Sequence, residues 1–200
     1  MESFFIILLI LASITGMTFI IERGIALRWK KNIPPDIEHS VHGYRSAAQT
    51  EELQLACREK PSPLGRLLLL AMEHRDWPRE ENIDALQTRA RHEVVKLERG
   101  LVILEIIVGI APLLGLVGTI YGLIMLFASM GQTANTDNST LARGIALALN
   151  ATLLGLLTAI PSLIAWSYYN KKIETIAVEM EQICGEFLKR LYRTETKDEK

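Results

Sequence analysis

LVILEIIVGIAPLLGLVGTIYGLIMLF, running from Leu101 to Phe127, contains one ionisable side chain, Glu105. As an α-helix it would reach about 40 Å, more than the roughly 30 Å of a bilayer's hydrocarbon core. The stretch therefore predicts a transmembrane helix. Its small residues recur at helical spacing: Ala111, Gly115, Gly118 and Gly122, the last two forming a GxxxG. Lipid tails give helices no hydrophobic reason to associate, so close approach over small residues becomes the main attraction. One face of this helix is thus expected to touch another helix. Thr119, beside that face, has two readings. Its hydroxyl either bonds back to the carbonyl one turn earlier or faces a polar path through the membrane.

Outward from this span, the chain alternates between apolar runs and charged segments. Phe4 to Ile21 is uncharged and apolar, with Glu2 ahead of it and Glu22, Arg23, Arg28, Lys30 and Lys31 behind. A cleaved signal peptide would carry its positive charge first, so a retained anchor with its N-terminus outside fits better. Residues 22–100 are polar and broken by Pro34, Pro35, Pro61, Pro63 and Pro78, which predicts short helices rather than an independent domain. Pro63 and Pro78 suit the first turn of a helix, where a missing N–H costs little. From Ile83 the apolar positions Leu86, Ala90, Val94, Leu97 and Leu101 follow helical spacing, predicting an amphipathic helix continuous with the span.

No Lys or Arg lies between Arg99 and Arg143, whereas basic residues cluster at 23–31, 89–99 and 171–172. The positive-inside rule then orients the chain. The expected segments are an N-out span within 1–21, a cytoplasmic segment 22–100, a second span 101–128 and an outside loop 129–140. A third span 141–169 and a cytoplasmic C-terminal segment 170–200 complete the chain, with fraying expected from Thr194. The third span carries its own small stripe, Ala148, Thr152, Gly155 and Ala159, and aromatic residues Trp166, Tyr168 and Tyr169 at its end. Pro112 and Pro161 mark expected kinks within the second and third spans. The fold class is an all-α integral membrane protein with three transmembrane helices, the second and third extended as long helices into the cytoplasm.

Composition agrees with this class: 49% of 200 residues are hydrophobic, and a net charge of −1 suggests no nucleic-acid partner. Cys57 and Cys184 lack a CxxC or metal-ligand spacing and read as free reduced thiols. His39 and His42 beside Glu38, like His74 and His92, read as solvated histidines, so no metal or cofactor is expected. Neither GxxxxGK[ST], HExxH nor GxSxG occurs, which gives no nucleotide-driven or hydrolytic chemistry and predicts that the chain is not an enzyme. The polar groups deep in the spans are Thr119, Asn150, Thr152 and Thr158, none of which titrates near neutral pH. Any titratable chemistry within the membrane would then need a carboxyl group from a partner, or Glu105. Glu105 shares a face with Pro112 and Thr119 but lies about 21 Å from Thr119 along the axis. An interfacial carboxylate is its simpler reading.

Ala111-Pro112-Leu113-Leu114-Gly115-Leu116-Val117-Gly118-Thr119-Ile120-Tyr121-Gly122-Leu123-Ile124 resembles the second-helix signature of the ExbB/TolQ/MotA proton-channel family. The third span resembles the same family through Ala148 to Leu156 and Ala159-Ile160-Pro161, as Glu22-Arg23 resembles its first-helix exit. The three-span order matches the ExbB/TolQ branch. The resemblance implies a homopentamer in the bacterial inner membrane, enclosing a single-span ExbD/TolR-like protein that carries a transmembrane Asp. Thr119 and Thr152 match family threonines that face the lumen of that ring. The function implied is a proton-channel or stator subunit that energises outer-membrane transport or envelope maintenance through a TonB/TolA-like arm. One departure stands out: many ExbB proteins carry Glu five residues before the third-helix Thr, and here that position is Leu147. The alternative is a non-conducting oligomeric membrane scaffold.

Overall fold

The computed structural model describes residues 2–44, 49–130 and 138–198. Every regular element within them is helical: α1 (Glu2–Ala26), α2 (Trp29–Asn32), α3 (Pro35–Gly43), α4 (Thr50–Glu59), α5 (Pro63–Glu73), α6 (Arg79–Glu98), α7 (Leu101–Met130) and α8 (Asn138–Asp198). Three are long and apolar enough to cross a membrane, over Phe4–Ala26, Leu101–Ala128 and the first part of Leu141–Arg193. Only 11% of the first of these apolar windows is buried within the chain, as suits a helix whose solvent is lipid. The all-α class with three membrane helices is therefore what the chain adopts. Most of the predicted loop 129–140 falls outside the described residues.

The helices divide into two compact units, residues 1–23 with 100–169, and residues 24–99 with 170–200. In the first unit, Leu9 of α1, Ile107 and Ala111 of α7 and Ala159 of α8 form a small buried cluster with Ile103 and Leu114 at its edge. Gly16 lets α1 approach α8, since a Cβ there would stand 3.1 Å from the Ser162 hydroxyl. Tyr169 fastens the other end of the contact by donating to the Ile20 carbonyl at 2.7 Å. Both prolines inside the spans, Pro112 and Pro161, lie within unbroken helix.

The second unit has a larger core than the prolines of 22–100 suggest. Ile33, Ile37, Val41, Leu53, Leu64, Leu67 and Leu68 are buried with Ile176, Met180, Ile183, Phe187 and Leu191 of α8. The short helices thus gain their hydrophobic partner from residues more than a hundred positions later. Proline positions three of the starts: Pro35 and Pro63 begin α3 and α5, and Pro78 caps α6 from one residue outside. Ser62 caps α5 by accepting from the Gly65 N–H at 3.0 Å. Buried Asn82 clamps this unit, its amide nitrogen lying 3.1 Å from the Ala71 and His74 carbonyls and 3.0 Å from the Tyr192 hydroxyl. Between α6 and α8 runs a groove of about 650 Å³, lined in part by Ile83, Leu86, Ala90, Val94 and Met180.

One expectation changes. The amphipathic helix does not run unbroken into the second span: α6 stops at Glu98 and α7 starts at Leu101. Arg99 adopts φ −55°, ψ 124° and Gly100 φ +94°, the values of a type II turn whose second central position favours glycine. At the other end, α8 is a single helix as far as Asp198.

Candidate site between the second and third spans

α7 and α8 pack over residues too small to hold them apart. A Cβ on Gly115 would lie 2.8 Å from the Ala151 carbonyl, and one on Gly155 2.6 Å from the Ala111 carbonyl. Gly118 faces the Ala151 methyl in the same way, at 2.9 Å. Residue numbers fall along α8 as they rise along α7, so the two helices are antiparallel. Ala111, Gly115, Gly118 and Gly122 on α7 are all buried, as are Ala148, Gly155 and Ala159 on α8. The stripe on the second span is thus occupied within the chain by the stripe on the third.

Into this contact the sequence sets two hydroxyls. Thr119 and Thr152 are hydrogen-bonded through their Oγ1 atoms, either of which can donate. Thr119 Oγ1 also lies 3.1 Å from its own-turn carbonyl at Gly115 and 3.2 Å from the Ala148 carbonyl across the contact. Thr152 Oγ1 reaches the Gly115 carbonyl of α7 at 3.2 Å. The first reading of Thr119 is present, since it bonds back to the carbonyl one turn earlier, and its hydroxyl also joins a polar group on the neighbouring helix. The pair holds two protons among several acceptors, so its hydrogen-bond direction can reverse without either helix moving. Thr119 is buried and Thr152 partly exposed.

Glu105 is not brought to this pair. It is exposed on α7, fourteen residues before Thr119 and about 21 Å away along the axis. Leu147, where the family often has Glu, is also exposed. The arrangement can hydrogen-bond a carboxyl group supplied from outside the chain, but it holds no titratable group of its own.

Elsewhere in the same unit Thr158 donates to the Leu154 carbonyl at 2.9 Å and Ser162 to the Thr158 carbonyl at 3.0 Å. These two polar groups are satisfied along α8. Gly16, Ala151 and Ser162 are the packing residues that sequence spacing misses, because spacing along one helix does not say which helix faces it. Among the described residues no group of His, Cys, Asp and Glu could hold a metal ion. His42 instead lies 3.1 Å from the Glu186 carboxylate.

Comparison with known proteins gives the family. The MotA/TolQ/ExbB proton channel family matches residues 59–182. The chain is 38% identical over 97 residues to the biopolymer transport protein ExbB of Helicobacter pylori, covering 48% of this chain and 62% of that protein. It is 32% identical over 108 residues to ExbB of Aquifex aeolicus, covering 54% of this chain and 72% of the relative. To the Tol-Pal system protein TolQ of Pseudomonas aeruginosa it is 27% identical over 199 residues, covering 92% and 85%. With three membrane-length helices and a family match across more than half its length, the chain is a multi-pass membrane protein that belongs to the MotA/TolQ/ExbB proton channel family.

Proposed function

We infer that this chain is the ring-forming subunit of an inner-membrane motor driven by the proton motive force. It works with a single-span partner of the ExbD/TolR kind, whose transmembrane Asp takes up and releases the proton. Five copies enclose that partner, and a TonB/TolA-like arm carries the work to outer-membrane transport or envelope maintenance. The chain itself catalyses no bond chemistry. The N-terminus and the loop 129–140 lie outside, and 22–100 and 170–200 lie in the cytoplasm.

The observation that carries this reading is the Thr119–Thr152 pair. Two hydroxyls meet at one level in a helix contact otherwise made of Gly and Ala. Packing alone would be served equally well by two more alanines. A hydroxyl pair that can donate to a carboxylate and accept from a carboxylic acid suits a partner group that changes protonation every cycle.

Valine keeps the shape of threonine and removes that capacity. Thr119→Val and Thr152→Val are each expected to assemble with the partner yet lose most gradient-driven function. The measurement is energy-dependent uptake or envelope integrity in cells carrying only the variant, beside recovery of the complex. Glu105→Gln is expected to do less, because water can replace an exposed carboxylate. Leu147 in place of Glu is the observation that favours a non-conducting scaffold. Wild-type function in both Val variants would decide for that alternative.

A further inference from the structure

Unlike Thr158 and Ser162, which bond along α8, Asn150 is a polar group of the third span outside the pair with no such bond. It is exposed on α8, and among the described residues the chain gives its amide no hydrogen-bond partner. A carboxamide has two donors and two acceptors, and a single bond to a carbonyl one turn back, such as Asn32 makes to Arg28, would leave most of them unmet. In hydrocarbon such a group is unfavourable unless another helix satisfies it.

Its direction follows from the geometry already described. Thr152 faces α7, and Asn150, two residues earlier, is turned roughly 200° about the helix axis. Asn150 therefore points away from the α7 of its own chain. The same holds in mirror sense on α7. Thr119 faces α8, and Tyr121, two residues later, is turned away from it by the same angle. The helices are antiparallel and the threonines stand level, so Asn150 and Tyr121 also lie at one depth, on the two outer sides of the α7–α8 pair. Tyr121 is half-buried, its ring 6.1 Å from that of Phe5, and among the described residues its hydroxyl has no hydrogen bond.

We propose that Asn150 is an intersubunit residue, seated against α7 of a second copy of this chain at the level of that copy's Tyr121 hydroxyl. In a closed ring of identical copies, each contact joins two different patches. The side of α8 turned from its own α7 then meets the side of the next α7 turned from its own α8. The two unpartnered polar groups, level with each other on those two sides, are complementary: an amide with donors and acceptors against a phenol that can do either. This inference rests on the self-assembly part of the proposed function and is independent of the proton path.

The test places the photoreactive residue benzoylphenylalanine at position 150 in the full chain, co-expressed with its native partners, and irradiates whole membranes. The expected product is a covalent dimer of this chain, with the adduct mapped by mass spectrometry to α7 near Tyr121. Adducts to lipid only, to a different protein, or to α8 of the second copy overturn the proposal. A second measurement avoids the bulky probe. Asn150→Leu and Tyr121→Phe should each weaken self-association in lipid bilayers by about 3–30-fold, the range for one interhelical hydrogen bond. The double variant should be no weaker than the weaker single one, because both remove the same bond. Unchanged association in both single variants overturns the contact while leaving the ring intact. A wild-type chain that stays monomeric removes the ring as well. Thr119→Val and Thr152→Val, by contrast, should associate as the wild type does.

Discussion

At Gly155 a single added methyl would arrive 2.6 Å from a backbone carbonyl that cannot move without its helix. Gly109, on the same pair of helices, has nothing within 4 Å of where its Cβ would stand. The two glycines therefore make opposite predictions for the same substitution. Gly155→Ala should destabilise the protein by about 1–3 kcal/mol through overpacking. Gly109→Ala should be neutral or stabilising by up to about 1 kcal/mol, since alanine is the better helix former. Thermal unfolding of both variants in one detergent checks the sign of the difference. The importance of Gly115 and Gly118 was legible from spacing alone, because small residues at helical intervals in an apolar span have little other use. The opposing residues were only partly legible. Ala148, Gly155 and Ala159 fall on the third span's own stripe, and Ala151, which meets Gly118, lies on the same face three residues after Ala148, yet no spacing names Gly118 as its partner. The back-bond of Thr119 was legible from spacing, but its second partner, the Thr152 hydroxyl, was not, because spacing along one helix does not pair it with a residue of another.

Among the elements, the two-residue turn between α6 and α7 is the feature that periodicity could not show. The apolar positions from Ile83 to Leu101 stay in helical phase across Gly100, and a glycine inside a helix costs only about 1 kcal/mol. The dihedrals decide it: at φ +94° an L-residue is strained, and a Cβ would also stand 3.1 Å from the Arg23 guanidinium. Gly100→Ala should cost about 1–2 kcal/mol, or force the helix to continue, and backbone hydrogen exchange across 98–103 would distinguish these outcomes. The contact of α5 with α6 carries a charge the sequence did not mark out. Glu93 is buried, with Arg66 Nη2 at 2.5 Å and Lys96 Nζ at 3.1 Å. Burial alone would raise its pKa, but hydrogen bonds from Arg66 and Lys96 outweigh that and hold the carboxyl below its usual value. A lowered carboxyl pKa stabilises the fold above the unfolded-state value and loses that contribution as pH falls through the folded one. Arg66→Met should therefore cost about 1–3 kcal/mol at pH 7, towards the low end because Lys96 remains and Arg66 is partly exposed. It should also move acid unfolding to higher pH, as read by circular dichroism.

For the molecule as a whole, the decisive prediction is which segments stand on which side of the membrane. Three spans are legible because an apolar run long enough for a bilayer has few alternatives. The core joining 24–99 to the end of α8 was not legible, since its halves are far apart in the chain and each is too polar to suggest a domain alone. That core encloses both native cysteines and simplifies the test. Cys57 and Cys184 are buried, and burial pushes their thiols up to about 11 and about 12. Both are then protonated and shielded at neutral pH, so neither should react with a maleimide until the protein is denatured. With that background silent, single cysteines replacing Gln49, Thr133 and Lys197 report topology. Thr133, which lies outside the described residues, is expected to label with an impermeant reagent in cells whose inner membrane is intact. Gln49 and Lys197 should label only once that membrane is opened. The absence of Lys and Arg from 100–142 carries this orientation, and both cytoplasmic probes must agree with it. Labelling of Gln49 before the membrane is opened would place the second unit outside, and the three-span orientation would fall.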